Sequence, residues 1–263
     1  MIIVGNKIAK EVLLELHERV SQLTVKPRLT VFVCAPNFET KRYLALKEKK
    51  AELVGISMDI IELAPSSTTE DFVHAIEKAV LSSDGIIIQL PLPESVDTKK
   101  IVATVPVTHD VDVLNPNTTD MLSPVVGAIK KILGVNGIMI FEKFVTVIGS
   151  GRLVGLPAYE WFLKQGAHVS VVTRDTTDIE NYTKNADIIV CGAGVPGLLK
   201  PDIIKEGVII LDAGTSEDGG ELRGDADPEC AEKASLFTPV PGGIGPITIA
   251  ILLSNVVDCT LRK

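Results

Sequence analysis

Uninterrupted apolar runs recur along this chain with room for a helix between them. PRLTVFVCA, ISMDIIEL and DGIIIQLPLP lie in the first half, and KFVTVIG, AHVSVVT, ADIIVCG and GVIILDAG in the second. A strand with one solvated face alternates apolar and polar residues, whereas a strand covered on both faces has no reason to. These Val, Ile and Leu runs do not alternate, and several of the intervening segments carry helical periodicity. The expected fold class is therefore α/β, with parallel strands buried between layers of helix.

The helical segments can be read from their spacing and punctuation. Ile8, Val12, Leu13, Leu16 and Val20 share one face of a first helix over residues 6–24. TKRYLALKEKKAELVG is a second, with Thr40 placed to cap its start and Gly55 its end. TTEDFVHAIEKAVLS and GLPAYEWFLKQG follow the same logic. The Asn, Pro and Thr content of VLNPNTTDMLSP suits a connection between domains. PITIAILLSNVVDCTLRK is too apolar for a free tail and is expected to pack back on the first domain. The sequence thus suggests three parts: a first α/β domain over 1–118, a second over 119–244, and a C-terminal helix over 245–263. No internal repeat or low-complexity segment interrupts them.

Bulk properties narrow the partners. At 263 residues, 46% hydrophobic and 23% charged, the chain can bury one large core or two ordinary ones. A formal net charge of −8 supplies no global attraction for nucleic acid or an anionic membrane, so neither is expected as a partner. An anionic ligand would have to be held locally. Cys34, Cys191, Cys230 and Cys259 are scattered without a CxxC pair, which reads as reduced thiols in a cytoplasmic protein. No constellation of residues suggests a metal. Charges interrupt the N-terminal apolar stretch and no small-residue cleavage site follows it, unlike a signal peptide, and no apolar run reaches the ~20 residues of a membrane span.

One turn has the chemistry of a dinucleotide site. FVTVIGSGRLVGLP places Gly149, Gly151 and Gly155 between a buried strand and a helix. Glycines there allow a tight turn and let backbone N–H groups at a helix N-terminus meet a pyrophosphate. The spacing is GxGxxxG, with Val154 standing where the usual fingerprint has its third glycine. At the end of the next strand comes TRDT. Arg174 favours a ribose 2′-phosphate and hence NADP, with Arg152 as a second cation, while Asp175 leaves NAD open. The small residues of CGAGVPG then permit close approach of a ligand.

Three further features stand out. Tyr43 and Lys47 lie four residues apart on a helix and share a face. Gln89 is a polar amide directly after a buried triple-isoleucine run, at the carboxyl edge of the sheet where open α/β folds bind ligands. HDVDVLNP contributes Asp110 and Asp112, either of which could serve as a loop former or as a ligand contact. Finally, TPVPGGIGPIT combines proline and glycine into a stiff, shaped loop before the last helix.

YLALK, GIIIQLPLP, DVDVLNP, the GSGRLVG turn, GVIILDAG, the GD at 224–225 and TPVPGGIGPIT occur in the order and spacing of one known family. Over nearly its whole length the chain resembles the bifunctional methylenetetrahydrofolate dehydrogenase/cyclohydrolase family. The resemblance implies a cytoplasmic homodimer, each subunit a folate-binding catalytic domain joined to a Rossmann-type NADP-binding domain with a parallel sheet. Its ligands would be tetrahydrofolate derivatives in one-carbon metabolism, feeding purine biosynthesis. It implies that Tyr43 stacks on folate, Lys47 manages protons during hydrolysis, Gln89 orients Lys47, and Asp112 rather than Asp110 meets the pterin. The substrate contacts extend to Leu90, Pro91, Pro241, Gly242, Gly243, Pro246 and Thr248. The cofactor contacts comprise Gly149, Ser150, Gly151, Arg152, Leu153, Arg174, Gly192, Gly214 and Gly243. The chain departs from the family pattern at Ala35 and Val113, both in place of glycine, at His109 in place of lysine and at Asn115 in place of histidine. On this reading a bulky residue at Gly243 should harm turnover more than melting temperature.

Overall fold

The computed structural model describes residues 1–218 and 221–262. The chain divides into two compact units, and the division is not linear: Met1–Ala9 belongs with Val125–Thr248, and Lys10–Pro124 with Ile249–Lys263. Lys263 itself, the end of the expected C-terminal segment, lies outside the described residues.

The unit containing Lys10–Pro124 is built on a three-stranded parallel sheet. Helix α1 (Gly5–Ser21) leads to β1 (Arg28–Cys34), α2 (Phe38–Val54), β2 (Ser57–Leu63), α3 (Thr69–Val80), β3 (Gly85–Ile88) and the short α4 (Thr98–Thr104). The strand order is β2-β1-β3, so β1 is central. All of β1 beyond Arg28 and all of β3 are buried, as uninterrupted apolar runs require. Strand β2 departs from that expectation: Asp59 to Glu62 are exposed. Phe32, Phe72, Ile76, Ile86, Ile88 and Ile101 form the core on one side, each at 2% exposure or less. Burying a side chain of this size stabilises a fold by roughly 1.5–3 kcal/mol.

The helix starts in this unit are set by side-chain caps. Thr68 and Asp71 form a reciprocal capping box on α3. Helix α2 corrects the expectation for Thr40: its cap is Asn37, whose side chain accepts the Thr40 N–H at 2.8 Å. Thr40 is thus the capped residue, one turn further in. The other end behaves as expected, with Gly55 at φ 89 closing the helix in the left-handed conformation.

The second unit is a five-stranded parallel sheet. Helix α5 (Pro124–Val135) precedes β4 (Phe144–Ile148), α6 (Gly155–Lys164), β5 (His168–Val172), α7 (Ile179–Thr183), β6 (Ile188–Cys191) and β7 (Ile209–Asp212). After β7 come β8 (Ser216–Asp218) and β9 (Glu221–Arg223), an antiparallel pair, then β10 (Leu236–Phe237) and helix α8 (Ile244–Leu261). The order β10-β7-β6-β4-β5 places β4 beside β6, with the chain crossing from one side of β4 to the other. That reversal of direction is where open α/β sheets leave a crevice at their strands' carboxyl ends.

Residues before the first helix extend this sheet. Ile3 N–H donates to the Phe237 carbonyl and Phe237 N–H to the Met1 carbonyl, both at 2.9 Å, in parallel register with β10. Helix α8 is long and apolar enough to cross a bilayer by length and composition alone. More than half of it is buried, however, including Ile247, Ala250, Leu253, Val256 and Val257 at 0% exposure, as befits a core helix.

Candidate active site

Helix α2 carries Leu44, Lys47, Ala51 and Val54 along its inward stripe, each at 5% exposure or less. A lysine on such a stripe must find partners for its ammonium or lose its charge. Lys47 Nζ donates to Gln89 Oε1 at 2.9 Å and stands 4.8 Å from the centre of the Tyr43 ring, within cation–π range. Gln89 sits one residue beyond β3, and its Nε2 donates to the Leu90 carbonyl at 3.1 Å, which turns its oxygen toward the lysine. Burial pulls the Lys47 pKa down from its ordinary value, and the carboxylate of Asp112 partly restores it. Burial also raises the carboxyl of Asp112, against the pull of Lys47, and it raises the phenol of Tyr43, to which Asp112 adds.

The structure therefore brings Tyr43, Lys47, Gln89 and Asp112 into one desolvated cluster. A lysine whose pKa is lowered by burial gives up its proton more readily than a solvated one. Leu90 and Pro91 follow Gln89 at the strand's carboxyl end, with Leu90 half-buried and Pro91 exposed.

The two neighbouring aspartates have different environments. Asp110 Oδ1 accepts from Leu114 N–H and Oδ2 from Asn115 N–H, at 3.2 and 2.8 Å, and the Thr118 hydroxyl donates to it at 2.7 Å. Its acceptor sites are occupied by its own loop. The chain folds back so tightly there that Val113 takes φ 58, a left-handed conformation costly for a β-branched residue. Ala35, at the other position where the motif pattern has glycine, takes φ 46. Both positions thus hold a conformation that suits glycine better than the residue present. Asn255, a polar residue in apolar α8 that the sequence reading passed over, braces this region: its Nδ2 donates to the carbonyls of Val111 at 2.9 Å and Leu122 at 3.1 Å. Its signal was a lone amide in an uncharged apolar stretch.

In the other unit the glycine turn follows β4 directly. Gly149 takes φ 98, and a Cβ there would lie 2.6 Å from the Gly192 carbonyl oxygen. Gly155, the first residue of α6, approaches closer still: a Cβ would lie 2.0 Å from the Gly149 carbonyl oxygen. Gly155 thus performs the tight helix packing that the fingerprint gives its third glycine, and Val154 packs instead on Gly192. Around Gly151 nothing comes nearer to a Cβ than 4.0 Å, which leaves the backbone open to a ligand. Ser150, Arg152, Leu153 and Arg174 are exposed around this turn and the end of β5. These residues fit a dinucleotide, with open backbone donors for phosphate and mobile cations beside them.

Gly214 has a structural neighbour of its own: a Cβ there would meet the Asp225 carboxylate at 2.2 to 2.4 Å. The proline/glycine loop is braced from within the same unit. Gly5 N–H donates to the Gly242 carbonyl at 2.8 Å, Gly243 N–H donates to Pro239 O at 2.7 Å, and Gly242 takes φ 102. A Cβ at Gly243 would lie 2.6 Å from the Pro239 oxygen, so a bulky residue there must shift the local backbone as well as meet any ligand. Pro241 is exposed, Pro246 and Thr248 are half-buried, and the Thr248 hydroxyl donates back to the Ile244 carbonyl at 3.2 Å.

Comparison with known proteins also divides the chain in two, but linearly, so that residues 249–263 fall with the second match and not with the unit they pack in. Residues 3–112 match the catalytic domain of tetrahydrofolate dehydrogenase/cyclohydrolase, and residues 123–263 match its NAD(P)-binding domain. The chain is 36% identical to the bifunctional protein FolD of Halothermothrix orenii, covering 97% of this chain and 96% of that one. It is 34% identical to FolD of Aquifex aeolicus, covering 100% and 96%. Among solved structures, the bifunctional enzyme FolD from Campylobacter jejuni superposes with a TM-score of 0.96 at 31% identity, covering 100% of this chain and 99% of that chain. The FolD of Trypanosoma brucei, complexed with NADP and an inhibitor, gives 0.95 at 29% identity, covering 100% and 97%. Two domain matches that together span most of the chain, near-complete relatives and a shared fold lead to one conclusion: the chain belongs to the tetrahydrofolate dehydrogenase/cyclohydrolase family.

Proposed function

We propose that this chain oxidises 5,10-methylenetetrahydrofolate to the methenyl form with NADP and then hydrolyses that cation to 10-formyltetrahydrofolate. The observation that carries the second activity is Lys47, buried and held by a neutral amide and an aromatic face, with Asp112 near enough to act on its charge. NADP supplies the hydride acceptor. On this reading the unit of Lys10–Pro124 and Ile249–Lys263 binds folate, with Tyr43 as a stacking surface, Asp112 accepting from the pterin, and Leu90 and Pro91 shaping the rim. The other unit binds NADP through Gly149 to Leu153, Arg174, Gly192, Gly214 and Gly243.

During hydrolysis water forms a bond to the methenyl carbon, the bond from that carbon to one folate nitrogen breaks, and one proton is released overall. Lys47 in its neutral form accepts the proton of the attacking water. Gln89 keeps Nζ aimed while the proton is exchanged. A desolvated pocket suits this step, because the lysine and the cationic substrate disfavour each other's charge. Homodimerisation, a cytoplasmic location and a contribution to purine synthesis belong to the same proposal and rest on family membership.

The test is to mix purified protein with 5,10-methylenetetrahydrofolate and either NADP or NAD, following reduced nicotinamide and methenyl absorbance together. Reduced cofactor without methenyl accumulation is expected, with NADP the faster coenzyme. Accumulating methenyl product would restrict the chain to the dehydrogenase step, and no signal with either coenzyme would refute both steps.

A further inference from the structure

The GD pair at 224–225 is the one family-like motif to which the catalytic reading gives no task. Asp225 is fully buried. Its Oδ2 accepts from Ala193 N–H at 2.6 Å and Gly194 N–H at 3.2 Å, and its Oδ1 accepts from Val195 N–H at 2.8 Å. Three successive backbone donors, about 30 residues away in sequence, converge on one carboxylate. Such a concave row of N–H groups would otherwise attract an anion from solution, and here the protein supplies the anion itself.

The loop so held is the one that leaves β6 beside the glycine turn. The missing Cβ of Gly149 would lie 2.9 Å from Ala193 N as well as 2.6 Å from the Gly192 oxygen, so the two loops pack backbone on backbone. Space for the carboxylate is made on its far side by Gly214, where a Cβ would come within 2.2 Å of it. A second buried carboxylate, Asp212, takes Gly214 N–H at 2.9 Å and Ala226 N–H at 2.8 Å, fixing the strand end and the backbone just after Asp225.

We propose that Asp225 is a positioning residue of the dinucleotide site: its carboxylate sets residues 193–195 at the height from which, with the glycine turn, they form the floor under the cofactor. It touches no ligand and acts through three amide groups. The proposal rests on the reading that this unit binds NADP, and it adds the residue on which the shape of that site depends.

Asp225→Asn keeps the size and removes one acceptor edge, so one of the three amides must face a donor instead. The KM and Kd for NADP should rise about 10-fold or more, as expected for loss of a charge-assisted hydrogen-bond set. Hydrolysis of added methenyl substrate, which needs no nicotinamide, should stay within about twofold of the parent, a split that general loosening of the fold does not produce. Unchanged NADP affinity overturns the proposal, as does an equal fall of both activities in folded protein. If the variant does not fold, amide hydrogen exchange of the parent without NADP decides: slow exchange at Ala193, Gly194 and Val195 supports the clamp, and fast exchange overturns it. If the parent shows neither enzymatic activity the functional reading fails on its own, and calorimetric binding of NADP to parent and Asp225→Asn still tests the clamp.

Discussion

The two units each bury charge, and they do so in opposite ways. In one, Lys47 is held by side chains: an amide oxygen, a ring face and the field of a nearby carboxylate. In the other, Asp225 accepts from three backbone N–H groups and Asp212 from two. Side-chain partners can rotate away or exchange protons, so a charge held by them stays available for chemistry. Backbone partners are fixed by the fold, so a charge held by them becomes part of the architecture. The same contrast separates Asp112 from Asp110 within one short loop, since only Asp110 has its oxygens filled by its own chain.

Lys47→Met gives the hardest test of that contrast. Cyclohydrolase activity should fall by roughly 10²–10⁴, the usual value of a proton-transfer group, while part of the hydride transfer survives because it needs positioning more than a proton carrier. Equal loss of both at unchanged folate binding would place Lys47 with the architectural charges. Gln89→Leu is expected to act next most strongly. Removing its acceptor disfavours charged Lys47, so the lysine pKa falls further and the neutral base persists to lower pH. The acid limb of the cyclohydrolase pH profile should therefore shift down by about one unit or more, together with a loss of rate. A limb that stays in place would separate the amide from the proton-transfer step.

Asp212→Asn probes the architectural side. Burial pushes the Asp212 carboxyl up to about 7, and Asp225 adds to the rise while backbone hydrogen bonds oppose it. A folded-state pKa above the unfolded value means that this group's stabilising effect is complete below about pH 4 and is lost as pH rises through about 7. The parent should therefore lose several degrees of Tm relative to Asp212→Asn between pH 4 and 8, at roughly 2–4 °C per kcal/mol for a chain of this size. Parallel melting curves would show that Asp212 ionises normally. The smallest effect belongs to Val113→Gly. Relief of the left-handed strain outweighs glycine's added chain entropy only slightly, so the urea midpoint should rise by the equivalent of about 0.5–1 kcal/mol. A fall would mean that the Val113 side chain contributes packing that exceeds the strain.

Much of this was legible because it is local. Continuous apolar runs gave β1, β3, β4, β6 and β7, and the glycine spacing located the turn after β4. The cluster around Lys47 could be suspected from a helical i, i+4 pair and an amide after a buried strand, yet neither pattern shows that the lysine is buried. What escaped depends on partners distant in sequence or on a single backbone angle. Asn37 and Thr40 exchange roles because a cap is defined by which side chain accepts, not by which residue type is present. Asp110 and Asp112 differ through the reversal at Val113. Asp225 and Asn255 act on backbone 30 and 144 residues away, beyond the reach of any periodicity.

The pairing of Met1 and Ile3 with Phe237 also bears on the order of events during synthesis. During synthesis residues 1–3 must wait for residue 237 before these hydrogen bonds exist. At about 5–20 residues per second that delay is on the order of 12–50 s. The other unit waits as well, because its Lys10–Pro124 segment is completed by Ile249–Lys263. A nascent chain can collapse early, but neither unit holds all of its own parts until the segments after residue 236 have been made. Truncation by a few tens of residues at the C-terminus should therefore leave two incomplete bodies rather than one intact domain and a frayed end.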